Sequence, residues 1–587
     1  MSATTSPIEA PPLVSAPGTR ARREGGRTRQ RTFLLVVSFG PALLAVALAT
    51  IVALLHWKGV DQAAQSYRVL QVRTHGLALW DSGWYGGNYP LGYSVVFPVI
   101  GALVSLPVAG AGAAAGASWA FDRLLTSWLG RRPLGVWYFA ASTILAVAIG
   151  QLPFLAGEAL GLAGLVALTR QRRGVAVALM VAAACCSPLA AAFALLACTA
   201  WFWHRREQRL GIGMVAGAAV AVVAILGVLF PGTGPFPFPW GGLAFTLGAC
   251  AVLGTSLVRS PPVLRLAAVL YAMASTASFL IANPLGGNAP RLAASVGVPI
   301  LVCLATAPAI TPNGGASLTT FAATPAFLDP GRWSKRRWWH PSVTVVVLVI
   351  LVAWQWGPGL GVVTSPANDP ALAESYYQPV LRQIALRSSG PVRVEIPPTR
   401  EHWEAAWVAP YVSLARGWER QLDIADNPIF YKPGTLDPAS YHRWLLANGV
   451  TWVALPATAL DYAGTDEAGL LHAGEVGGLH LAWSNRHWKL WRVTATPGLV
   501  SGPATLQALA PDEVRLHFSR AGLATLRVRY SSFSTVAAGA ACLRPDDAGW
   551  TDVRAATPGS VTLGTSVFTH GASLCPVGEL PSPGGPP

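Results

Sequence analysis

The chain has 587 residues, 52% of them hydrophobic and only 12% charged, with a formal net charge of +15. Soluble domains are usually about a quarter charged, so much of this chain belongs in lipid. Its basic residues fall in short clusters between apolar runs, without the stripe of cations and interleaved aromatics that a nucleic-acid surface needs, so the bilayer and its anionic headgroups are the expected partner and nucleic acid is not.

Residues 1–32 form a basic tail carrying Arg22, Arg23, Arg27, Arg29 and Arg31. The apolar run that follows, 33–55, exceeds the about 7 to 15 residues of a cleavable signal and predicts a first membrane helix. With the tail inside, 56–91 becomes an outer loop and 92–117 a second helix returning to Arg131 and Arg132. The run 134–169 divides at Gln151-Leu152-Pro153, and 175–203 divides at Ser187-Pro188 into halves short enough for a shallow hairpin. Further helices are expected at 210–230, 241–258, 264–282, 292–310 and 342–358. This gives about eleven crossings, a transmembrane domain over 33–358 and an extracytoplasmic C-terminus.

Beyond 358 the pattern becomes globular. An amphipathic helix at 372–387, strands at 392–396 and 451–455 and a helix at 438–448 predict an α/β domain over 359–495. Alternating runs near 490–493, 514–518, 526–530 and 561–568, bounded by Gly, Pro and Ser, predict a β-sandwich over 496–579, followed by a disordered tail at 580–587. Five of the seven cysteines sit in apolar runs as small hydrophobes. Cys542 and Cys575 are the soluble pair, and an extracytoplasmic location makes them a disulfide.

Acidic residues are scarce. Between 33 and 357 there are only Asp61, Asp81, Asp122, Glu158, Glu207 and Asp329, and the topology puts Asp61, Asp81 and Glu158 on the outer side. Asp61, Gln65 and Arg68 share one face of a short helix, which suits either an interfacial anchor with a solvated polar face or a reactive carboxylate beside a cation. Trp80, Asp81, Trp84, Tyr85 and Asn88, with Gly83, Gly86 and Gly87, make a turn able to wrap a sugar or a phosphate, although aromatic rings are also common at membrane interfaces. The loop from Asn283 to Arg291 holds Asn288 and one cation, Arg291, suited to forked contact with phosphate or to snorkelling. Trp403, Trp407, Tyr411, Trp418, Tyr431, Trp444 and Trp452 crowd the soluble part, as core first and as a carbohydrate surface second.

A carboxylate just after the first helix, shallow helix pairs and a C-terminal extracytoplasmic domain resemble the GT-C class of polytopic membrane glycosyltransferases. The segments Asp61-Gln-Ala-Ala-Gln65, Trp80-Asp-x-x-Trp-Tyr-Gly-Gly87 and Asn283-Pro-x-Gly-x-Asn-x-x-Arg291 are similar to actinobacterial integral membrane proteins of that build. Many GT-C enzymes carry an Asp-Asp or Asp-x-Asp pair where this loop has single aspartates. The resemblance implies a plasma-membrane enzyme that takes a sugar from a polyprenyl-phosphate donor and passes it, with inversion, to a cell-envelope glycan or lipid acceptor. Asp61 would be the base, Arg291 or Arg68 would meet the phosphate, and Asp81 would position the acceptor or hold a divalent cation such as Mg or Mn. Gln65, Trp80, Trp84, Tyr85, Asn88, Glu158 and Asn288 would line the substrate. The rival readings are a transporter or flippase, which calls for ionisable groups near the midplane of related halves, and a non-catalytic envelope-assembly scaffold.

Overall fold

The structure, a computed structural model, describes residues 39–129, 133–232, 234–254, 260–306, 341–364, 369–568 and 573–575. The basic tail, Arg131, Arg132, Asp329, the cluster at 335–337 and the tail at 580–587 lie outside the described residues.

The N-terminal half is helical: α1 (Phe39–Leu54), α2 (Val60–His75), α3 (Pro90–Tyr93), α4 (Phe97–Val104), α5 (Leu106–Leu129), α6 (Pro133–Ile149), α7 (Leu152–Thr169), α8 (Arg173–Cys186), α9 (Pro188–His204), α10 (Arg209–Leu229), α11 (Trp240–Gly254), α12 (Pro262–Leu280), a π-turn (Ala293–Gly297) leading into α13 (Val298–Ala305), and α14 (Pro341–Thr364). Among the described residues five helical stretches are long and apolar enough to cross a membrane, and α4 with α5 makes a sixth if that bent pair is one span. Side chains such as Leu103, Val228 and Leu280 stand exposed on their outer faces, as lipid-facing residues do. The chain is a helical membrane protein.

The expected single helix at 92–117 is instead three pieces. Ser105 ends α4 with φ +77°, Pro107 in the first turn of α5 has no N–H to continue the ladder, and the two axes meet at 118°. The breaks at Gln151 and Ser187 fall where proline places them, and Ser187 caps α9 by accepting from the Ala190 N–H.

The C-terminal half contains two β-layered units. Strands β1 (Arg393–Glu395), β2 (Ser413–Leu414), β3 (Val450–Pro456), β4 (Leu479–Ser484) and β5 (Trp488–Val493) form a mixed sheet in the order β2-β1-β3-β5-β4, parallel at β2-β1-β3 and antiparallel beyond. Helices α15 (Glu374–Arg387), α16 (Glu404–Trp407), α17 (Arg420–Asp426), α18 (Pro438–Ala447) and α19 (Tyr462–Ala473) accompany it. Next come β6 (Val500–Ser501), β7 (Ala504–Ala510), β8 (Glu513–Phe518), β9 (Gly522–Arg529), β10 (Ser534–Ala538), β11 (Ala541–Pro545), β12 (Trp550–Ala555) and β13 (Gly559–Thr565). They pair as two four-stranded sheets, β10-β13-β8-β7 and β11-β12-β9-β6, around Leu516, Phe518, Leu526, Val553 and Val561. The run at 490–493, grouped by its alternation with the sandwich strands although it falls within 359–495, belongs to the mixed sheet: β5 lies between β3 and β4, and its Trp488, Leu490 and Val493 are buried there. Cys542 of β11 is joined to Cys575, their Cα atoms 4.9 Å apart.

Helix α2 ties the halves together. Its Ala63, Ala64 and Tyr67 share a core with Trp403, Ala405 and Ala406 of the C-terminal half. At its start, Gly59 donates to the Ala148 carbonyl at 3.1 Å, and a Cβ there would stand 2.6 Å from Ala148 and Ile149. Gly150, at φ +94°, meets the Gln62 backbone just as closely. Only glycine at both places lets α2 rest directly on the turn between α6 and α7.

Candidate active site

Asp61 lies in the first turn of α2, where the helix dipole favours an anion, and is 7% exposed. Its Oδ2 accepts from Nη2 of Arg291 at 3.4 Å. The Gln151 side chain, delivered by the turn beneath it, also bonds to this carboxylate, and His402 and Arg68 act on it electrostatically. Burial pushes the Asp61 carboxyl above the usual aspartate range, and Arg291 is the strongest influence pulling it back.

Arg68 follows two turns later on the same helix and is 2% exposed. Its guanidinium lies over the Tyr93 ring at 4.4 Å and near Trp84 and Trp418, each at 5.8 Å. Glu419 Oε2 is 3.7 Å from Nη2. Among the described residues none of the Arg68 nitrogens, and neither polar atom of Gln65, has a hydrogen-bond partner. Such buried groups are costly unless something completes them, and both side chains stand on the α2 face that carries Asp61. The α2 face read as a possible solvated anchor is therefore covered by protein, by residues from Trp403 to Glu419.

Helix α7 links this site to the membrane interior. Gln151 at its N-cap reaches Asp61, Phe154 carries the Arg291 guanidinium at 5.8 Å from its ring centre, and Glu158 one turn deeper sits beside Ser295 of the π-turn. Phe154 and Glu158 line a cavity of about 140 Å³ whose other walls include Leu124, Leu162, Phe193, Trp201, Leu264 and Ile300. The chamber is apolar with one carboxyl group, and the Arg291 guanidinium lies near its lining residue Phe154.

The turn around Asp81, expected to wrap a sugar or a phosphate, is buried and internally bonded. Asp81 is 1% exposed; its Oδ1 accepts from Tyr67 Oη at 3.1 Å and from the Gly83 N–H at 3.0 Å, and it pairs with Asn88 through two backbone bonds. Trp80 packs into the sandwich core, while Trp84 and Tyr85 pack into the core under the mixed sheet. Trp84 Nε1 donates to the Ala405 carbonyl and Tyr85 Oη to the Glu419 carbonyl. Leu414 N–H and Arg529 N–H donate to the carbonyls of Gly83 and Gly86. The turn joins the two C-terminal units, and its rings pack into both cores. Among the described residues no group of three or more His, Cys, Asp or Glu is arranged to hold a metal ion.

Asn288 ends a 3-10 turn (Gly286–Asn288), half-buried, in a loop whose glycines lie against the Phe236 and Pro237 carbonyls. Of the crowded aromatics, Trp403, Trp444 and Trp452 are core, Tyr411 is exposed, and Trp418 stands by Arg68.

Two residues of the site escape sequence reasoning. Glu419 is held up from the usual glutamate range by burial, against the pull of Arg68. His402, at φ +54°, lies between Glu404 (3.5 Å) and Asp461 (3.7 Å) and beside Arg420. Both come from segments more than 300 residues from α2, and no local pattern announces them.

Among solved structures the chain is similar to the crystal structure of ArnT from Cupriavidus metallidurans in the apo state, at 13% identity and a TM-score of 0.40, covering 79% of this chain and 99% of that one. No family model and no curated protein matches the chain.

Proposed function

We propose that the protein is a membrane glycosyltransferase that moves a sugar from a lipid-phosphate carrier to a hydroxyl of an envelope glycan or lipid. The observation that carries this reading is a buried carboxylate, Asp61, paired with Arg291 and within electrostatic reach of Arg68, at the junction of a helical membrane region and a folded C-terminal region, near an apolar chamber. In this reading the chamber takes the first units of the carrier's hydrocarbon, and Arg291 near its lining residue Phe154 takes the phosphate. Asp61 removes the proton of the acceptor hydroxyl as its oxygen attacks the anomeric carbon from the side opposite the phosphate. The carbon–oxygen bond to the phosphate breaks, and the departing oxygen keeps the electron pair, its charge offset by Arg291. A base whose proton affinity burial raises above that of an ordinary aspartate serves this step better. Glu419 adds a second carboxylate across Arg68, contributed from the C-terminal half rather than from the Asp61 loop.

The test is release of polyprenyl phosphate from a panel of polyprenyl-phosphate sugars by purified protein in detergent with envelope acceptors. Acceptor-dependent release, with inverted configuration in the product, supports the reading; Arg291→Gln should reduce it by about 10²-fold. Failure of every lipid-phosphate sugar to react, with Arg291→Gln indistinguishable from wild type, refutes it.

A further inference from the structure

Arg291 has one ion pair among the described residues, with Asp61. Its Nη2 meets Asp61 Oδ2 through one contact at 3.4 Å, longer than the about 2.7 to 2.9 Å of a good charge-assisted bond. Among the described residues no second carboxylate lies within ion-pair distance of Arg291. The other cation is anchored: Arg68 is 2% exposed, faces Glu419 and packs on Tyr93. Arg291 is the looser of the two, with a side chain 21% exposed, and it comes just before the π-turn, a helical irregularity able to shift register.

We propose that the Asp61–Arg291 pair is a latch opened by the donor's phosphate, so that the base is released only after donor has bound. This rests on the lipid-phosphate reading of the site. A phosphate offers the guanidinium fork two oxygens where Asp61 offers one, and so competes well for it. Once the phosphate shares Arg291, the carboxylate loses the strongest influence holding its proton affinity down and becomes a better base as the acceptor arrives. Donor is therefore the first substrate to bind, and Asp61 is its competitor for Arg291. In the absence of donor the paired carboxylate is the weaker base toward water.

The test is binding of farnesyl phosphate to the full-length protein in detergent. Asp61→Asn keeps the size of the side chain and removes its charge, so it should bind the probe about tenfold more tightly than wild type while losing turnover. That gain should disappear in an Arg291→Gln background. Glu513→Gln removes a carboxylate that pairs with Arg515 on the sandwich, away from the site, and should change affinity by less than about threefold. Equal or weaker binding by Asp61→Asn overturns the latch, as does an equal gain in Glu513→Gln, which would show a general charge effect. Absence of binding to wild type takes down the lipid-phosphate reading as well; binding to wild type without the Asp61→Asn gain takes down the latch alone.

Discussion

Raising the pH from 5 to 8 should destabilise the C-terminal half through one buried carboxyl cluster. Arg416 donates to Asp423 at 2.7 Å and to Glu467 at 3.2 Å, with Glu395 at 3.9 Å, all of them buried. Three carboxylates around one guanidinium are two too many: burial pushes Glu467 up to about 7, and burial with Glu467 beside it raises Glu395 well above the glutamate range. Because the folded value of Glu467 exceeds its ordinary 4.5, its contribution to stability is complete below 4.5 and is lost as pH rises to about 7. That interval, at about 1.36 kcal/mol per pH unit, amounts to about 3 kcal/mol. For a unit of about 200 residues this lowers Tm by about 6 to 12 °C. Glu404, Glu419 and Asp426, raised by burial, act in the same direction; Asp423 and Asp461 are lowered, so what they contribute is lost only under more acid conditions. Tryptophan fluorescence during heating reports the transition, since Trp403, Trp452 and Trp488 are buried in this half. Glu467→Gln keeps the bond from Tyr441 Oη and should flatten the pH dependence. A Tm that holds or rises between pH 5 and 8, or an unchanged slope in Glu467→Gln, would refute the reasoning. The cluster also bears on the site, since Arg416 and Asp423 bracket the segment that presents Trp418 and Glu419 to Arg68.

Three further outcomes are expected. A cysteine placed near Asp466 should react with an impermeant thiol reagent on intact cells while one near Gln208 should not; the opposite labelling would reverse the topology. Gly150→Ala should reduce both expression and turnover, because its Cβ would meet the Gln62 backbone at 2.2 Å and push Asp61 off Gln151; normal activity would show that this contact does not position the base. Reduction, or Cys542→Ser with Cys575→Ser, should cost the sandwich about 3 to 4 kcal/mol for a separation of 33 residues, seen as a lower Tm.

The membrane half was legible wherever proline or glycine interrupts an apolar run, as at Gln151-Leu152-Pro153 and Ser187-Pro188. It was misread at 92–117, where hydropathy alone does not report the bend that Ser105 and Pro107 impose. Helix α2 was legible as a helix with Asp61, Gln65 and Arg68 on one face, and Asp61 and Arg291 do meet. Its burial was not legible, because the cover comes from Trp403, Trp418 and Glu419, and long-range contact leaves no trace in local periodicity. In the Trp80–Tyr85 turn the packing role was not legible either, because rings, glycines and a carboxylate look alike whether they hold a ligand or lock two folded units together.

The most direct test compares Asp61→Asn with Asp81→Asn in acceptor-dependent sugar transfer, measured per folded protein. The account predicts that Asp61→Asn loses about 10²- to 10⁴-fold in turnover with an unchanged Tm, whereas Asp81→Asn lowers Tm and leaves the turnover of folded protein within a few-fold of wild type. Full activity in Asp61→Asn together with loss of turnover in a stably folded Asp81→Asn would contradict it and return the chemistry to the Trp80–Tyr85 turn.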